Sequence, residues 1–75
     1  MRRNRVESEA LCSVGYDGKR QLLEIEFNSG ELYRYFDVPA SVHAGLMGAD
    51  SHGEYFSHHI RDRFDYEHLD YGRLD

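Results

Sequence analysis

The groups best able to do chemistry in this sequence gather in its last third, where His52, His58, His59 and His68 stand near one another and Asp62 follows His58 by four positions. Imidazole and carboxylate four apart share one helical face, a spacing that holds zinc or nickel when a further ligand converges on them. No third ligand with supporting hydrogen bonds can be named from the spacing, so the pattern predicts exposed histidines and no metal site. Cys12, the single cysteine, would need a neighbouring base or positive charge to act as a nucleophile. It falls in a segment of strand character, where cysteine is expected as a small core filler. Paired carboxylates at interpretable spacing, a glycine-rich phosphate loop and a nucleophile-elbow serine are all missing. The expectation is a protein that is not an enzyme and carries no cofactor.

Residues suited to binding stand out more clearly. Tyr33 and Tyr35 bracket Arg34, and Arg61 and Arg63 bracket Asp62. A tyrosine on a sheet either offers its ring to RNA bases or buries the ring beneath helices while its hydroxyl reaches the rim. Arginines near the end of a helix either form a basic patch or answer the helix dipole. The elements that carry these side chains decide between the readings.

With 75 residues there is room for one domain, which must spend nearly all its apolar side chains on one core. A hydrophobic share of 40% with a single proline predicts a folded chain despite 31% charged residues. One cysteine allows no internal disulfide, and Met1–Arg5 leads directly into Val6, Glu7, Ser8 and Glu9 without the apolar stretch of a secretory signal. A cytoplasmic location without membrane association is expected, since no apolar run approaches the roughly 20 residues that span a bilayer. The net charge is −5, but Arg2, Arg3 and Arg5 stand apart at the start, leaving six basic against fourteen acidic groups in the remainder. Such a body repels phosphates. The division expected is a basic arm over residues 1–7, a folded domain over 8–64 and an acidic, frayed tail over 65–75.

Gln21–Phe27 alternates, with Leu23, Ile25 and Phe27 on one face, as a strand buried on one side should. Asn28, Ser29 and Gly30 supply hairpin chemistry, and Glu31–Val38 forms the next strand with Tyr33 and Tyr35 sharing a face. An earlier strand over about Ala10–Tyr16 is joined through Asp17 and Gly18. Pro39 suits a helix start, after which Val42, Leu46 and Ala49 recur at helical spacing. Ser51 and Glu54 form a capping-box pattern that starts a second helix at His52, with Phe56, Ile60 and Phe64 on one stripe. The predicted class is α+β: a three-stranded antiparallel meander followed by two helices packed on one face. So small a core needs large rings, which turns Tyr33 and Tyr35 inward and leaves Arg34, Leu32 and Phe36 on the open face.

Gly15 and Tyr16, then Leu23, Ile25, Phe27 and Gly30, the Tyr33–Arg34–Tyr35 triplet, Val38 and Pro39 occur in that order, and Ala49, Ser51, Gly53, Tyr55, Phe56, Ile60 and Arg61 close the set. In order and spacing they resemble the KTSC domain family, named after a short C-terminal extension of some lysyl-tRNA synthetases and also found as free-standing bacterial proteins. The resemblance implies a compact α+β domain, brings no catalytic residues, and suggests RNA contact through the synthetase association. Gly45 and Gly48 depart from it, standing where a helix of the family ordinarily carries better helix formers.

Two binding readings follow. An RNA-contacting module would use Arg34, Arg61, Arg63 and the basic N-terminus, with Tyr33 and Tyr35 as stacking candidates, against the acidity of the body. A protein-interaction module would use the open sheet face, through Leu32 and Phe36, or an exposed edge strand, and fits the charge better. Either partner suits a monomer or weak homodimer. The periodicities select Leu23, Ile25, Phe27, Tyr33, Tyr35, Leu46, Phe56 and Ile60 as core. Phe56→Ala is therefore expected to lower unfolding free energy by about 3–5 kcal/mol, measured by denaturant titration; an unchanged midpoint would mean the helix register is misassigned.

Overall fold

The computed structural model describes residues 3–69. Seven elements follow in order: β1 (Arg3–Arg5), β2 (Leu11–Asp17), β3 (Leu22–Phe27), β4 (Leu32–Tyr35), α1 (Ala40–Gly48), α2 (His52–His59) and β5 (Tyr66–Leu69). The strands form one sheet in the order β1-β2-β3-β4-β5, antiparallel throughout. The α+β class and the central meander agree with the sequence pattern, but the sheet has five strands rather than three. Arg3–Arg5 and Tyr66–Leu69, expected as arm and tail, are its two edges. Neither edge has a buried residue, so the alternation that betrays a half-buried strand is missing from both. They join through backbone pairing and charge. Arg2 and residues 70–75 lie outside the described residues.

Local chemistry sets each turn. Asp17 Oδ1 accepts from the Lys19 and Arg20 amides at 3.1 and 3.3 Å, closing the β2–β3 turn in the manner of an Asx-turn. Gly30, at φ 96°, completes the β3–β4 turn, where the Phe27 amide donates to the Glu31 carbonyl at 2.8 Å. Tyr16 reaches across to donate its hydroxyl to the Val38 carbonyl at 2.6 Å, and its ring stacks on His43 at 4.5 Å. This pins the chain just before Pro39, which caps α1 and ends the strand course. Burial lowers the His43 pKa below its usual value. At the second helix the Ser51 hydroxyl accepts from the Glu54 amide at 3.2 Å, as the capping pattern requires.

Both helices cover the same face of the sheet. The core there comprises Leu11, Val14, Leu23, Ile25, Tyr35, Val38, Leu46, Phe56 and Ile60, with Phe27, Tyr33, Val42 and Phe64 packed against it. Six of the eight predicted core residues are thus buried, while Phe27 and Tyr33 sit at its margin. Leu11 and Val14 escape a strict two-residue alternation because the β2–β3 register shifts between Leu11 and Ser13. A bulge turns both side chains inward although they are three apart. Cys12 stands at that irregularity and is half-buried, so it is not the core filler its residue type suggested.

The two glycines of α1 serve different ends. A Cβ at Gly45 would collide with the ring and hydroxyl of Tyr55, so this glycine lets α2 approach closely, whereas a Cβ at Gly48 meets nothing within 4 Å. Gly48→Ala is expected to stabilise the domain by up to about 1 kcal/mol through helix propensity. Gly45→Ala, offered the same gain, is expected to destabilise it because the Tyr55 ring must leave its place and its contact with His59. Thermal denaturation of the pair checks this; equal shifts in the two variants would refute the close-packing account.

Candidate binding site

On the sheet face away from the helices, register places one residue per strand in a single row: Arg3, Gly15, Glu24, Arg34 and Glu67. Gly15 has no side chain, so Arg3 can cross above it, and its Nη1 donates to Glu24 Oε1 at 3.0 Å. From the other side Arg34 donates to Glu24 Oε2 through Nε at 3.1 Å and Nη2 at 2.8 Å, and its Nη1 reaches Glu67 Oε1 at 3.4 Å. Glu24 is only 4% exposed. A carboxylate withdrawn from water to this degree needs its charge and both oxygens answered, and the two guanidiniums do so. In the adjoining row Ser13 donates to Glu26 at 2.9 Å, and Leu32, opposite Glu26 and Leu69, is buried. The face expected to be open therefore carries a lattice of polar groups that answer one another, with Arg3, Arg34 and Glu67 still partly exposed.

The helix side of the sheet is covered unevenly. Tyr33 and Tyr35 of β4 share this face with their register partners His68 and Tyr66 of β5. Between them and the end of α2 lies a groove of about 470 Å³, floored by Phe27, Tyr33, Tyr35, Phe56 and Tyr66. The rings brace one another. Phe56 meets Phe27 and Tyr35 edge-on at 5.2 and 5.7 Å, and Tyr66 lies 5.5 Å from Tyr33 and 5.7 Å from Tyr35. Tyr66 remains 57% exposed. Burial, before any other cause, raises the Tyr35 pKa, keeping that hydroxyl protonated. The Tyr33 hydroxyl donates to Glu31 Oε1 at 3.1 Å, a bond to a carboxylate that raises its pKa as well. Glu9, Glu31 and Asp62 stand around the groove, against Arg61, whose guanidinium lies 5.9 Å from the Phe56 ring centre. Asp62 reaches this position because it takes a left-handed φ of 63° just after α2, where a glycine more commonly reverses the chain.

Residues 7–64 match the KTSC domain. The chain belongs to the KTSC domain family. It is 44% identical to an uncharacterised protein of Stutzerimonas stutzeri (strain A1501) over the full length of both. It is also 41% identical to a lysine–tRNA ligase of Nostoc punctiforme over 63 residues, which are 84% of this chain and 11% of the ligase. The chain thus spans about a tenth of that enzyme's length. A crystal structure of a KTSC domain protein from Yersinia pestis superposes with a TM-score of 0.89 at 34% identity, covering 91% of this chain and 96% of the other.

In this KTSC domain three of the five candidate binding residues, Tyr33, Tyr35 and Arg61, line one groove, while Arg34 lies on the opposite face within the charged row. Arg63 is exposed beside a smaller acidic cleft, of about 320 Å³, that includes Asp37, Asp62 and Asp65. Tyr66, Glu31 and Asp62 are groove residues that periodicity did not single out; they converge through the β5 pairing and the reversal after α2, both long-range outcomes. The histidines disperse. His52 Nδ1 is 2.8 Å from the Leu46 carbonyl, His59 packs on Tyr55, and His68 stacks on Tyr33 at 4.8 Å with Nε2 4.0 Å from Glu31. Among the described residues no three His, Cys, Asp or Glu side chains are placed to hold one metal ion, and no helix is long and apolar enough to cross a membrane.

Arg34, a candidate partner contact by sequence, also serves the fold through the charged row. Arg34→Met is expected to destabilise the domain by about 1–3 kcal/mol, less than a fully buried pair because Arg3 still answers Glu24. Adding Glu24→Gln should recover part of this loss, since the unanswered charge goes with it. Urea unfolding of the single and double variants measures the coupling, and strict additivity would mean that the pair is not coupled.

Proposed function

We propose that this KTSC domain is a non-catalytic binding module that holds a segment of a protein partner in the aromatic groove between α2 and the β4–β5 edge. The observation that carries this reading is the groove floor, where five aromatic rings meet in one concavity and Tyr66 is exposed. Exposed aromatic area concentrated in a concave site is where binding energy is concentrated at protein interfaces. The open-face version of the protein reading loses support, because Leu32 is buried and the surrounding positions are engaged with one another.

RNA contact is the second reading, supported by the lysine–tRNA ligase relatives and by Arg61 and Arg63, both exposed. Against it stand the acidic residues around both arginines and the placement of Arg34 on the other face. A phosphate approaching the groove would meet three carboxylates and one guanidinium.

Selection from a random-peptide display library, with binders then measured on wild type and on Tyr66→Thr, tests the first reading. Tyr66 is exposed and threonine is a good strand former, so the fold should persist. Groove binders are expected to weaken by about tenfold on loss of the ring. In parallel, bulk tRNA at two salt concentrations is followed on the backbone amides. Salt-sensitive shifts at Arg61 and Arg63, with no peptide selected on the groove, would decide for RNA.

A further inference from the structure

Resting on the groove as the binding site, we infer that it is selective for charge: it takes a lysine or arginine side chain of an extended partner segment. Three features of the groove converge on a cation. Its floor is aromatic, and ring faces attract cations. Its carboxylates, Glu9, Glu31 and Asp62, outnumber the single guanidinium of Arg61. The floor already holds a cation of the chain itself, since the Arg61 guanidinium lies within 5.9 Å of the Phe56 ring centre.

The geometry divides the work between rings and carboxylates. An aliphatic stem would lie along Tyr33 and Tyr66, the rings of the floor that keep access to solvent, as long basic side chains do on apolar surface. Its charged end would meet Glu31, already oriented by the Tyr33 hydroxyl at 3.1 Å, or Asp62 across the groove. Neither carboxylate belongs to the Arg3–Glu24–Arg34–Glu67 row on the other face, so the site is separate from what stabilises the sheet. An extended peptide, rather than a small amine, is the occupant because β5 is an edge of the sheet among the described residues and flanks the groove. A chain running beside β5 can pair with its backbone while every second side chain turns to the groove face.

The test uses three blocked pentapeptides, acetyl-Ala-Ala-X-Ala-Ala-amide with X as lysine, methionine or glutamate, titrated into the full chain and followed on backbone amides. Methionine keeps an unbranched stem of similar length and removes the charge. The lysine peptide is expected to shift amides around Tyr33, Tyr66 and Asp62 saturably, about tenfold more tightly than the methionine peptide, and less so at high salt. The glutamate peptide should leave them unmoved. In the variant Glu31→Gln/Asp62→Asn the advantage of lysine over methionine should vanish; glutamine keeps an acceptor for Tyr33, and asparagine tolerates the left-handed backbone at this position. Equal binding of lysine and methionine peptides in the wild type would overturn the charge selectivity and leave the groove as a binding site. Shifts from none of the peptides would overturn both this inference and the groove reading.

Discussion

Glu24 lies near the centre of the sheet with almost no access to water, and its carboxylate is shared by Arg3 from one edge and Arg34 from the next strand. Much of the architecture depends on that arrangement. A slip of one residue in β3 would turn Glu24 into the core and Leu23 and Ile25 out of it, so charge and apolar pattern enforce the same register. The same row recruits the two edges. β1 brings no buried side chain, and it is Arg3, passing over Gly15, that gives the strand a specific place. Glu67 does the corresponding work for β5, at an exposed position where an ion pair contributes less.

The two faces of the sheet consequently do different things. One is a polar lattice in which opposite charges and a serine–glutamate hydrogen bond satisfy each other. The other carries the core, with the helix pair drawn together where Tyr55 lies on Gly45. These helices have nine and eight residues, and beyond the end of α2 the rings of β4 and β5 are left without a helical lid. A large aromatic content in a chain of 75 residues thus serves both demands: Phe56 and Tyr35 are buried, and their neighbours Tyr33 and Tyr66 continue the same ring cluster into solvent.

Charge separates the two partner classes more sharply than fold does. The arginines that would contact phosphate are dispersed, one in the lattice, one over a ring in an acidic groove and one beside aspartates. Phosphate recognition needs positive charge concentrated on one surface. Membership of a family whose relatives include lysine–tRNA ligases is compatible with a module that serves a larger protein through contacts of its own.

Hydropathy together with turn and capping residues determined the three central strands, both helices and six residues of the core: Leu23, Ile25, Phe56 and Ile60 recur at the periods that one-sided burial imposes, and Asp17, Gly30, Pro39 and Ser51 mark where elements end and begin. It also brought Tyr33 and Tyr35 to the helix face and Arg34 to the other, since alternation leaves no choice once one face is buried. Leu11 and Val14 eluded the same rule because a bulge breaks the period between them. What alternation cannot carry is pairing between segments far apart in the chain. Arg3 meets Glu24 across 21 positions and Arg34 meets Glu67 across 33, and Arg3 and Glu67 lie in edge strands whose side chains bury little and so leave no hydrophobic trace. The groove is decided at that same level. Tyr66 reads as one polar-tail aromatic among acidic residues until β5 pairs with β4, and only then do Glu31, Asp62 and the rings occupy one concavity, because the contacts that define it are made between elements and not within them.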